Sequence, residues 1–93
     1  MTRPLIRSTA FIRAAKKFLK KRPDLVKDVS LSLQLLEEDA YHPYLKTHKL
    51  TGRLEGCWAC SAGYDLRIVF SLVRHGGHEA ILLETIGTHD EVY

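Results

Sequence analysis

The segment from Leu66 to Ile86 constrains this chain more than any other, because it reads as a β-hairpin. Leu66-Arg67-Ile68-Val69-Phe70-Ser71-Leu72-Val73 is β-branched and aromatic, a composition that fits a pleated, partly buried surface. Arg74-His75-Gly76-Gly77-His78 follows, and the Gly-Gly pair supplies the positive φ of a tight hairpin turn. Glu79 to Ile86 then forms the return strand. A chain of 93 residues, 45% apolar and 27% charged, is globular and allows one small domain, residues 1–93.

What precedes the hairpin has another period. Arg3-Pro4-Leu5-Ile6-Arg7 alternates weakly, and its proline suits the first residues of a strand or a sheet edge. Ser8 is a good N-cap. Beyond it Phe11, Ala15, Phe18 and Leu19, with Ile12 beside them, form one apolar stripe at helical spacing. Arg13, Lys16, Lys17, Lys20 and Lys21 take the opposite face. Arg22-Pro23-Asp24 breaks this helix and starts another, in which Leu25, Val29, Leu33 and Leu36 recur until Glu37-Glu38-Asp39. Residues 40–53 lose periodicity and form a polar, basic connection punctuated by Pro43 and Gly52. Leu54 to Ser61 reads as a strand, followed by a turn at Ala62-Gly63-Tyr64.

The order is therefore β-α-α-β-β-β. It predicts an α+β fold, an antiparallel sheet with an N-terminal helical hairpin packed on one face. Leu66, Ile68 and Phe70 should face the helices, leaving the other sheet face partly open for a site.

Charge is unevenly spread. Residues 1–53 carry twelve Lys/Arg and five acids, a net of +7, while residues 54–93 carry two and six, a net of −4. A basic half favours a polyanion or an acidic protein partner, and a solvated helix face accounts for it equally well. No apolar run exceeds four residues, which argues against a transmembrane helix, a secretory signal and a membrane partner. Two cysteines without a signal point to the reducing cytoplasm. Cys57 and Cys60 form a C-x-x-C. Zinc needs two more ligands, and positions three apart on a strand face opposite ways, so neither a zinc nor a redox role follows. There is no glycine-rich phosphate loop, no H-E-x-x-H and no G-x-S-x-G. No cofactor and no metal site is expected.

The remaining chemistry lies in a few polar residues. Asp65 and Arg67 share one strand face about 7 Å apart, as either a cross-strand ion pair or part of a site. Lys46, His48, Lys49 and Arg53 fall within eight residues, the composition of a phosphate-binding arm or of a solvated loop. His89 can exchange a proton near neutral pH, and Tyr93 can cap the core, stack on a base or orient a reacting group.

Taken together, HKLTG, WACSAGYDLRIVF and LLETIGTHDEVY, in that order on this topology, resemble the RelE/ParE superfamily of type II toxins. The nearest resemblance is to its YafQ-like branch of mRNA interferases. The resemblance implies a small, metal-free endoribonuclease without cofactor, cutting mRNA on the ribosome and neutralised by a cognate antitoxin. It further implies contacts with ribosomal RNA, and DNA contact only through the antitoxin complex. In such chemistry the ribose 2′-oxygen attacks the neighbouring phosphate, with a base, an acid and cations for the phosphorane charge.

Matched position by position, the resemblance implies catalytic roles for His48, Asp65, Arg67, His89 and Tyr93. His89 would be the acid, His48 or Asp65 the base, and Arg67 the phosphorane's cation, with Tyr93 orienting a base or the nucleophile. Lys46, Lys49 and Arg53 would bind RNA phosphates. Three positions depart from the YafQ branch: Ser61 stands where it has a second strand histidine, Thr85 where it has an arginine, and Leu66 where it has a tryptophan. Two other readings remain open, a ParE-like inhibitor of DNA gyrase without ribonuclease activity and a catalytically silent antitoxin-binding homologue.

Overall fold

The computed structural model describes residues 2–63 and 65–93. Ser8 separates the first strand, β1 (Leu5–Arg7), from the first helix, α1 (Thr9–Lys21). Its Oγ accepts the Phe11 amide at 3.0 Å, satisfying a donor that the first helical turn leaves without a partner. Arg22 ends α1, and a single 3-10 turn (Pro23–Leu25) leads into α2 (Val26–Glu38). Proline fits that first position because its missing N–H has no bond to make there.

After α2 the chain makes a 3-10 turn (Pro43–Leu45), a two-residue strand β2 (His48–Lys49) and another 3-10 turn (Gly52–Leu54). β3 (Trp58–Ser61), β4 (Leu66–His75) and β5 (His78–Thr88) follow, and one helical turn, α3 (His89–Val92), ends the chain. The β4–β5 connection is the expected glycine pair, with φ of 60° at Gly76 and 80° at Gly77. Both values are open to glycine without steric cost. Of the expected turn at Ala62-Gly63-Tyr64, Tyr64 lies outside the described residues.

The mixed α+β architecture with its helical hairpin matches the expectation. Strand order is β1-β5-β4-β3-β2. The sheet departs from the all-antiparallel arrangement at one edge, where β1 pairs with β5 in parallel, Ile6 opposite Leu82. No hairpin links these two strands, so nothing forces the chain to reverse between them. The third strand is also shorter than 54–61, since Leu54 belongs to a 3-10 turn and β2 forms a ladder within the loop. The C-terminal turn α3 had no counterpart in the expected order.

Phe11, Val29 and Leu36 of the helices meet Cys60, Leu66, Ile68, Phe70, Ile81, Leu83 and Ile86 of the sheet in one core cluster. Leu66, Ile68 and Phe70 therefore do face the helices. Register steps between Val69 and Phe70, which oppose Thr85 and Leu83 and leave Glu84 as the extra residue of a bulge. Glu84 is held there by the Ser71 hydroxyl, which donates to Oε2 at 2.9 Å. Cys57 and Cys60 are both free thiols. Burial pushes the Cys60 thiol up to about 12, so at neutral pH it is an inert core group.

Candidate active site

Alternation along β4 turns Arg67 away from Leu66 and Ile68, onto the face opposite the helices. In register it stands between Ser61 of β3 and Gly87 of β5. Its guanidinium is half-buried, with Nη1 donating to the Leu66 carbonyl at 3.2 Å. Tyr44, Lys46, Ser61, Gly63 and Arg67 line a groove of about 430 Å³. Two cations at one groove are the chemistry that attracts a phosphate.

Gly87 decides what lies beside Arg67. A Cβ at this position would come within 3.1 Å of both Cβ and Oε1 of Glu91, so the missing side chain allows α3 to fold close against the strand end. The turn is fixed by a capping box. Thr88 Oγ1 accepts the Glu91 amide at 3.3 Å, and Glu91 Oε1 accepts the Thr88 amide at 2.9 Å. That N–H bond holds the Glu91 carboxyl below its ordinary range.

This short helix carries two candidate residues four apart, which places them on one side. The His89 and Tyr93 rings meet edge-on, centroids 4.6 Å apart. Burial raises the Tyr93 hydroxyl above its ordinary value, and the nearby Arg67 charge opposes that rise. Asp65 lies just before β4, and its Oδ1 is 3.5 Å from the His89 amide nitrogen. Asp90 Oδ1 lies 3.6 Å from His89 Nδ1. Thus Asp65, Arg67, His89 and Tyr93 gather at one end of the β4–β5 ladder.

His48 comes from the other side of the same face. It opposes Ala59, which opposes Val69, two residues along from Arg67. Strand spacing therefore sets His48 about 10 Å across and about 7 Å along from Arg67. Its Nδ1 lies 3.0 Å from the Lys46 carbonyl. A carbonyl only accepts, so Nδ1 carries hydrogen and Nε2 of the neutral ring keeps its lone pair.

The three RNA-binding candidates separate. Lys46 joins Arg67 in the groove, from a left-handed backbone position with φ of 52°. Lys49 alternates to the other side of β2, where Nζ stands 5.4 Å from the Trp58 ring centroid. Arg53 is exposed on the 3-10 turn before β3. Among the described residues no three of His, Cys, Asp and Glu come together as metal ligands, and no helix is long and apolar enough to cross a membrane.

Sequence reasoning missed two features. The Thr-x-x-Glu spacing at residues 88–91 is itself a capping signal. Tyr44 lies in a segment without periodicity, and its place beside Arg67 depends on long-range folding.

Comparison with known proteins supplies the family. A family model described as the bacterial toxin of type II toxin–antitoxin systems, YafQ, matches residues 3–93. None of the curated proteins matches the chain. Among solved structures, YafQ from E. coli strain BL21(DE3) is similar with a TM-score of 0.79 and 18% identity, covering 98% of each chain. The YafQ–DinJ toxin–antitoxin complex from E. coli gives 0.77 and 19%, over 100% of this chain and 99% of the other. A YoeB/ParE toxin from Agrobacterium tumefaciens gives 0.73 and 13%, over 92% and 98%. These likenesses show the shared fold, and the family model, which spans nearly the whole chain, shows that this protein belongs to the YafQ family of bacterial type II toxins.

Proposed function

We propose that this toxin is a metal-independent endoribonuclease that cuts mRNA on the ribosome in the cytoplasm and so blocks translation. The observation that carries this reading is the place of Arg67 between the sheet edge that holds His48 and the turn α3 that holds His89. His48 lies two strands across towards the β2 edge and two residues along from Arg67, and His89 opens α3 directly after β5, the strand that flanks Arg67 on the other side. An in-line displacement puts the entering and leaving oxygens on opposite sides of phosphorus. A cation with a base on one side and an acid on the other matches that need.

In this reading His48 Nε2 takes the proton of the ribose 2′-hydroxyl. The 2′-oxygen bonds to phosphorus, the bond from phosphorus to the 5′-oxygen breaks, and His89 gives the leaving oxygen its proton. The products are a 2′,3′-cyclic phosphate and a 5′-hydroxyl. Arg67 stabilises the charge that builds on the non-bridging oxygens, the contribution that is largest in partly buried sites. Tyr93 holds the His89 ring, and Asp65 steadies the backbone at residue 89. Lys46 takes a neighbouring phosphate, while Lys49 and Arg53 serve ribosomal RNA outside the groove.

The nucleophile belongs to the substrate, so its positioning supplies much of the rate. The partner in this reading is a cognate antitoxin. The solved relative bound to DinJ supports this, and any DNA contact would run through that complex. The reading is tested with an RNA oligonucleotide bearing a single 2′-deoxy sugar at the mapped cleavage position. Cleavage should stop at that bond and continue elsewhere, and a cyclic phosphate should be found on the wild-type product. Cutting at the deoxy position would refute 2′-oxygen attack.

A further inference from the structure

Among the described residues Tyr44 is the most exposed of the large apolar side chains, at 67%, yet its backbone is held within a 3-10 turn. Pro43 sets φ at the first position of the 3-10 turn. Leu45, next in sequence, is fully buried. On the other side, His42 Nδ1 accepts the Tyr44 amide at 3.1 Å. The chain thus anchors both neighbours and leaves the ring between them in solvent.

The ring has a cationic side and an acidic side. It lines the groove that holds Lys46, Ser61, Gly63 and Arg67. It also lines a second groove of about 300 Å³, whose walls include Leu31, Leu35 and Ala62 and whose rim carries Asp28 and Glu38. A phosphodiester is drawn to the first groove and repelled by the second.

We propose that Tyr44 is a base-stacking platform, which holds one unstacked base of single-stranded RNA while the adjoining phosphate sits at Lys46 and Arg67. An aromatic face beside a cationic groove is the arrangement by which proteins hold single strands, and stacking tolerates any base because each has a π-face. A platform fixed before binding loses little freedom on binding. The inference rests on the endoribonuclease reading and adds a nucleobase subsite to it.

The test is binding, not cleavage. A short RNA with 2′-O-methyl sugars and 2-aminopurine at successive positions is titrated against the whole toxin, and fluorescence quenching is read. Wild type and Tyr44→Phe should bind alike and quench at one position. Tyr44→Ala should bind about tenfold or more weakly and lose that quenching. An abasic site at that position should weaken wild type but leave Tyr44→Ala nearly unchanged. Equal binding by wild type and Tyr44→Ala overturns the platform while leaving the ribonuclease reading intact, provided Arg67→Ala weakens binding. Failure of wild type to bind any RNA, free or held on the ribosome, overturns both. Loss of antitoxin affinity in Tyr44→Ala, with RNA binding unchanged, would assign the ring to the antitoxin and refute the proposal.

Discussion

The Tyr93 ring meets the His89 ring edge-on, with 4.6 Å between centroids and 69° between planes, across one turn of helix at the chain's end. Four residues of separation bring the two together only because Thr88 and Glu91 cap that turn. Gly87 leaves the space that Glu91 occupies. The proposed acid is thus held mainly by its sequence neighbours, with Asp65 reaching its amide from the start of β4.

Replacing Gly87 tests this arrangement. The Gly87→Ala methyl meets Glu91 at 3.1 Å, closer than packed atoms tolerate without moving. The expected outcome is a folded protein with a displaced α3 and strongly reduced cleavage. Circular dichroism should stay near wild type, while the His89 and Tyr93 ring resonances shift in NMR spectra. Unchanged ring shifts with full activity would contradict the role given to Gly87.

The Glu91 cap makes the last turn sensitive to acid. Its carboxyl has a lowered pKa when folded, so the charged form is the one that folding favours. The stabilisation is fully present above the ordinary glutamate value and is lost as pH falls through the lowered folded value. The Thr88 amide resonance should therefore report fraying of α3 in acid before the sheet unfolds. Glu91→Ala should show a frayed turn at every pH, and Glu91→Gln should restore much of the cap at neutral pH.

Arg67 is predicted to act on rate more than on fold. Arg67→Ala should lower cleavage by about 10²–10³-fold, the cost usual for removing one donor to a developing oxyanion. Thermal unfolding should change little, because the side chain lies away from the helical core. His48→Ala should lower the rate by about 10²–10⁴-fold as a lost general base.

Cysteine chemistry follows from burial. Cys60 is fully buried with a thiol pushed up to about 12, while Cys57 is partly exposed with a smaller rise. Iodoacetamide at mildly alkaline pH should label Cys57 and spare Cys60 until the protein is denatured. A raised folded pKa means that the Cys60 contribution to stability is complete below the unfolded thiol value and declines as pH rises towards about 12. Cys60→Ala should flatten that alkaline decline. In the core, Phe70→Ala should cost about 3–5 kcal/mol in denaturant unfolding, because Phe70 is 1% exposed.

Much of this architecture was legible in the chain because it is local. Ser8 capped the first helix as its type suggests, the glycine pair turned the hairpin, and alternation put Leu66, Ile68 and Phe70 on the buried face. The parallel pairing of β1 with β5 was not legible, because it joins residues 76 positions apart with no connecting turn to set direction. The site divided in the same way. Arg67 lies on the strand face that alternation gives it, but Asp65 stands in the turn before β4 and not in the strand, and the turn that brings His89 and Tyr93 together was not expected. The other side of the site required the fold. Lys49 sits next to His48 in sequence, yet alternation sends it to the opposite face against Trp58. Tyr44, in a stretch without period, reaches the Arg67 groove only through tertiary packing.

The central claim is that this toxin cuts message with His89 as its acid. Mapping of mRNA 5′ ends after induction, wild type beside His89→Ala, tests it most directly. New 5′-hydroxyl ends within coding regions should accumulate with the wild type and fall away in the variant, with equal amounts of folded protein in both. Growth arrest without new ends, or the same ends from His89→Ala, would contradict the account.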